Sequence, residues 1–180
     1  MTVFIAYGWP EGSWHGKQFR KALMDYGYKA TESSAEADII IAHSAGCYML
    51  PANTKAKLIL LIGLPNWPNK LLMKCTFEKV SIERKNAYWF NKTFWHLVYG
   101  ALQPIRLYNV YKTYRQKYLP DFKQSKVVLV HNQQDTYMQV ENSQKLAKER
   151  KWLLINLNGQ HDDMWQNTQP YIELVGRYLS

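Results

Sequence analysis

Asp38-Ile39-Ile40-Ile41-Ala42-His43-Ser44-Ala45-Gly46 is the stretch on which the fold turns. Its opening residues, Asp38 to Ala42, form a short, nearly continuous apolar run rich in branched side chains. Such a run suits a strand covered on both faces, as in a parallel sheet, better than one alternating between core and water. Beyond it, Ala45–Leu50 is expected to turn into a helix that ends near Pro51.

Runs of the same kind lie on both sides. Thr2–Tyr7, Lys57–Ile62, Lys126–Val130 and Trp152–Asn156 all read as buried strands, and Tyr28–Thr31 as a weak edge strand. Between them, Trp14–Tyr26 carries Trp14, Phe19, Leu23 and Tyr26 at helical spacing, with Gly27 as its stop, and Tyr137–Arg150 and Tyr171–Leu179 are also helical. Strands that alternate with helices predict an α/β protein: a three-layer sandwich around a mostly parallel, doubly wound sheet of five or six strands.

The chain has 180 residues, a length that favours a single domain. Cys47 and Cys75 are the only two cysteines, and no pattern of Cys and His has metal-ligand spacing, so neither a disulfide framework nor a structural zinc site is expected. No apolar run approaches the roughly 20 residues that cross a bilayer. The amino-terminal run reads as a strand and not as a signal peptide, which predicts a soluble, cytoplasmic protein.

The net charge of +9 is unevenly placed. Residues 65–126 hold twelve basic and three acidic side chains, whereas the rest of the chain holds eleven of each. The same stretch carries thirteen of the 26 aromatic residues. Residues 65–123 are therefore expected to form a basic, aromatic-rich helical cap inserted into a neutral scaffold, with helices over Ala87–Gly100 and Ile105–Tyr118. Its basic side is either a solvated face or a surface for an anionic partner.

In open parallel sheets, ligands bind beyond the carboxyl ends of the strands. Three of these ends carry residues with chemistry: Ser44 in Ala42-His43-Ser44-Ala45-Gly46, Asp135 in His131-Asn132-Gln133-Gln134-Asp135, and His161 in Gly159-Gln160-His161-Asp162-Asp163. Taken singly, Ser44 suits a helix cap, Asp135 a turn and His161 an ordinary loop. Together they supply a nucleophile, an acid and a base.

Ala42-His43-Ser44-Ala45-Gly46 resembles the G-x-S-x-G nucleophile elbow of the α/β-hydrolases, with Ala42 one methyl larger than the family glycine. The order Ser, Asp, His is also theirs, and Gly159–Asp163 resembles the turn that presents their histidine. The compact length resembles the small retinoblastoma-binding-protein-type serine hydrolases. The likeness spans residues 1–64 and 124–180.

It implies a serine esterase. Ser44 attacks an acyl carbon, His161 is the general base and Asp135 orients it. The amide of Ala45, with a second from Gly8 or Trp9, forms the oxyanion hole. Trp9 and Trp14 either line the acyl pocket or pack. The expected ligand is a small-molecule acyl substrate, with no cofactor and no metal. His43 and His131 are expected to be structural and Cys47 to pack; Asp162 is the second choice for the acid, and His15 and His96 receive no role. The competing reading is a non-catalytic protein on the same scaffold, binding nucleic acid or another anionic partner through the basic segment. An acyltransferase would use the same triad as the esterase.

Overall fold

A computed structural model describes residues 1–7, 12–64, 119–135 and 138–179, without the side chains of 12–15 and 45. The helices expected at Ala87–Gly100 and Ile105–Tyr118, and with them nearly all of the cap, lie outside the described residues. Met1–Pro65 and Leu119–Ser180 belong to one compact unit.

The elements of this unit are β1 (Thr2–Ala6), α1 (Gly12–Asp25), β2 (Lys29–Ala30), β3 (Ile39–His43), a 3₁₀ turn (Ser44–Met49), β4 (Leu58–Ile62), β5 (Lys126–Asn132), α2 (Val140–Arg150), β6 (Leu153–Leu157), a second 3₁₀ turn (Asp163–Trp165) and α3 (Gln169–Leu179). The six strands form one sheet in the order β2-β1-β3-β4-β5-β6. Every neighbouring pair is parallel. Every residue of β3 and β4 is buried, as expected for central strands with both faces covered.

Alternation along the strands divides the core into two layers. Val3, Ile5, Ile39, Ile41, Leu58, Leu60, Val128 and Val130 pack with Phe19 and Leu23 of α1 and with Tyr171, Ile172, Leu174 and Val175 of α3. Ile40, Ala42, Ile59, Leu61, Val127 and Leu129 pack on the opposite face with Cys47, Leu50 and Ala147 of α2. Leu119 and Phe122 join this second layer. They mark where the chain re-enters the main unit.

The sequence and the structure differ mainly at element ends. The helix α1 starts two residues earlier than expected and ends at Asp25, one before Tyr26, with Gly27 as its stop: Tyr28 N–H donates to Leu23 O at 3.1 Å and Gly27 N–H to Met24 O at 2.9 Å, a Schellman closure. β3 runs one residue further than expected, because His43 pairs with Ile62. The helix expected over Ala45–Leu50 is instead six residues of 3₁₀ turn, which begins one residue earlier. α2 starts at Val140 and not at Tyr137, and ahead of it Asp135 Oδ1 accepts the Met138 N–H at 3.1 Å.

At the amino ends of the strands, Asp38 fastens β1 to its neighbours. It accepts from Thr2 N at 2.9 Å and meets Lys57 Nζ at 3.2 Å, contacts that hold its carboxyl below the usual range. The opposite rim is thereby left for chemistry. The sheet order reverses between β1 and β3, which is where a crevice forms in such sheets.

Candidate active site

Ser44 stands immediately after β3, at that reversal. His43 before it is extended (φ −120°, ψ 135°), whereas Ser44 itself has φ +52°. A non-glycine residue in the left-handed region costs on the order of 1 kcal/mol, a cost that concentrates at functional turns. Ser44 is the first residue of the 3₁₀ turn and not its cap, a position held by His43. Two residues on, a Cβ built at Gly46 would lie 2.3 Å from the backbone oxygen of Ala6. The turn is thus pressed against the end of β1, and only glycine fits there.

Cys47 is wholly buried, with Sγ 3.3 Å from Ala42 O, and burial pushes its thiol far up. It packs, as its place in the sequence suggested. Ala45 belongs to the 3₁₀ turn. Gly8 and Trp9 lie outside the described residues, and Trp14 is described only as part of the α1 backbone.

Asp135 and His161 meet. The Nδ1 of His161 lies 2.7 Å from Oδ2 of Asp135, whose side chain has no exposed surface. Asp135 follows β5 and His161 follows β6, so two adjacent parallel strands deliver the pair to one rim. The other carboxylate oxygen takes the Met138 N–H. Asp135 is therefore both the turn residue and the imidazole's partner. Asp162, the second choice for the acid, has its Oδ1 3.9 Å from Nε2 of His43 instead. Gly63 (φ +55°) backs the imidazole: a Cβ there would stand 3.0 Å from His161 Cε1 and Nδ1.

His43 is buried beneath this pair. Its Nε2 donates to the carbonyl oxygen of His161 at 2.8 Å. Its ring lies 4.9 Å from the His161 ring and 5.2 Å, edge to face, from that of Trp165. Burial, then the neighbouring His161, pushes its pKa down to about 4. It stays neutral near pH 7, with its proton on Nε2. His43, His161 and Asp162 stand close enough together to suggest a metal site. The donor set does not fit one, because a nitrogen that donates to a carbonyl has no lone pair for a cation. His131 is also buried, with Nδ1 3.3 Å from Ser143 Oγ, and burial lowers its pKa. It ties β5 to α2.

The buried neutral His43 makes stability depend on pH. Its folded value of about 4 lies below the ordinary 6.5. Between these values the unfolded chain takes up a proton that the folded chain refuses. Stability is therefore full above about pH 6.5 and falls as the pH drops toward 4, by about 3 kcal/mol in total. In His43→Gln, whose amide can still donate to His161 O, this part of the loss should vanish. Urea unfolding of both proteins at pH 7 and pH 4.5 measures it, and equal losses in the two would exclude His43 as the source.

Three features escaped the sequence reading: Gly63 behind the imidazole, and Asn132 and Tyr171 around the His161 loop. Of these, only Asn132 left a trace, as an amide in the stretch His131-Asn132-Gln133-Gln134-Asp135 that follows the expected strand Lys126–Val130.

No family model matches the chain, and no curated protein matches it. Solved structures do. An esterase of Pyrococcus furiosus is similar with a TM-score of 0.58 and 14% identity, over 99% of this chain and 80% of the esterase. A carboxylesterase of the thaumarchaeon Nitrososphaera gargenis gives 0.57 and 15%, over 99% and 89%. A 1H-3-hydroxy-4-oxoquinoline 2,4-dioxygenase gives 0.61 and 13%, over 99% and 92%. A scaffold shared by esterases and a dioxygenase does not choose a reaction; side chains do. What the likeness does establish is the architecture: the chain has the α/β-hydrolase fold.

Proposed function

We propose that the protein is a serine hydrolase that cleaves carboxylic esters, with thioesters or small amides as neighbouring substrates. The observation that carries this reading is the buried bond between His161 Nδ1 and Asp135 Oδ2. A neutral imidazole with its proton on Nδ1 has its lone pair on Nε2, and that is the form a general base requires. The strained φ of Ser44 at the end of β3 supplies the matching nucleophile turn.

In this reading His161 Nε2 takes the Ser44 proton as Oγ attacks the acyl carbon. The charge that develops on the carbonyl oxygen is met by the amide of Ala45 at the start of the 3₁₀ turn, with a second amide from Gly8 or Trp9. Protonated His161, steadied by Asp135, returns the proton to the leaving group. Water, deprotonated by His161, then attacks the acyl carbon; the bond to Ser44 Oγ breaks, the carboxylic acid leaves, and His161 returns the proton to Oγ. If an alcohol or amine replaces water, the same residues perform acyl transfer. The esterases among the solved structures support the choice of substrate class. Trp9 and Trp14 are assigned to the acyl pocket, and residues 65–123 to a cap.

A fluorophosphonate probe tests the proposal. Wild type should be labelled, and Ser44→Ala should not. If folded wild type stays unlabelled and instead binds oligonucleotide with a steep salt dependence, the competing reading of an anion-binding protein stands.

A further inference from the structure

The loop that carries His161 is held more firmly than the pairing with Asp135 requires. Three successive carbonyls are gripped from outside it. Gly159 O accepts from Gln134 N at 2.9 Å, Gln160 O from Asn132 Nδ2 at 2.7 Å, and His161 O from His43 Nε2 at 2.8 Å.

Asn132 is distinctive among these donors. It is the last residue of β5 and is wholly buried. Its backbone oxygen accepts the N–H of Asp135 at 2.9 Å, while its side chain donates to the residue before His161. One residue thus ties the acid's loop to the base's loop. Its amide is in turn oriented by Tyr171 of α3, 1% exposed, whose hydroxyl donates to Oδ1 at 2.9 Å. With its oxygen engaged there, the amide must turn its NH₂ toward Gln160. Burial raises the pKa of Tyr171, so the hydroxyl keeps the proton it donates. A buried amide and phenol destabilise a core unless they are hydrogen-bonded, and leucine and phenylalanine would fill the same space without that demand.

We propose that Asn132 is a positioning residue: oriented by Tyr171, it fixes where the His161 imidazole stands against Asp135. The inference rests on the serine-hydrolase reading for its kinetic arm and stands apart from it in its spectroscopic arm.

The test uses the full chain with Tyr171→Phe and Asn132→Leu, well below the melting temperature of each variant. On a nitrophenyl ester, Tyr171→Phe should lower kcat about 10-fold and Asn132→Leu about 10²-fold, with KM little changed, since an error near 1 Å in a catalytic group has effects of this size. The downfield proton resonance of His161 Nδ1–H, identified by its loss in Asp135→Ala, should broaden or vanish in both variants. An unchanged resonance, or a lowered melting temperature with full kcat, would overturn the proposal. If wild type cleaves no ester but the resonance is lost in the variants, the positioning pair stands and the hydrolase reading falls. Should Asn132→Leu fail to fold, Tyr171→Phe still decides, because it removes one buried hydroxyl and keeps the ring.

Discussion

Replacing Ser44 by alanine, or His161 by alanine, is expected to lower kcat for nitrophenyl ester cleavage by about 10⁴–10⁶-fold, and the double variant should be little worse than either single one. The non-additivity is the informative part. Without Oγ, the proton acceptor has nothing to deprotonate. Without the imidazole, Oγ remains a protonated and weak nucleophile. Each loss disables the same step, so the second has little left to remove. Residual rate in both singles reflects binding and amide contacts with the carbonyl oxygen. Steady-state rates of the three variants beside wild type settle the matter. Losses that simply multiply would mean that the two side chains act separately, which the proposed mechanism forbids.

Asp135→Asn is expected to lower kcat on the order of 10⁴-fold, and the local hydrogen bonds say why. Asp135 uses both oxygens: Oδ1 accepts the Met138 N–H and Oδ2 faces His161 Nδ1. An asparagine keeps the first bond by leaving its oxygen toward Met138. Its NH₂ then faces Nδ1, which must become an acceptor, so the imidazole proton moves to Nε2. The lone pair needed to deprotonate Ser44 is lost although the shape is preserved. Melting temperature measured beside kcat separates this tautomer effect from unfolding. Full activity in Asp135→Asn would move attention to Asp162, whose Oδ1 lies 3.9 Å from Nε2 of His43.

The strands were legible because burial on both faces writes itself as continuous apolar runs: Ile39–Ala42, Leu58–Ile62 and Val127–Val130 are unambiguous. Their carboxyl ends could be inspected for chemistry without knowing the strand order, and the meeting of Asp135 with His161 follows from that simple rule. Less was visible after Ser44. Ala45–Leu50 has nothing in its composition that distinguishes a helix from a 3₁₀ turn, and the seat of this turn, with Gly46 lying against Ala6, is a contact between segments forty residues apart. The start of α2 at Val140 was not visible either, and ahead of it one carboxylate oxygen of Asp135 is taken by the Met138 N–H. Gly63 gave no sign of its role, because a strand-ending glycine is common and only the third dimension places an imidazole behind it. The Tyr171–Asn132 bond joins residues 39 positions apart, and no local pattern announces such a pair.

The left-handed backbone at residue 44 also bears on how such a protein changes over generations. Glycine adopts that conformation freely, so a chain selected for folding alone would drift toward it and gain a little stability on the way. In the proposed mechanism the hydroxymethyl group is what such drift would remove, so a single codon change to glycine would end the proposed chemistry while relaxing the backbone at that turn.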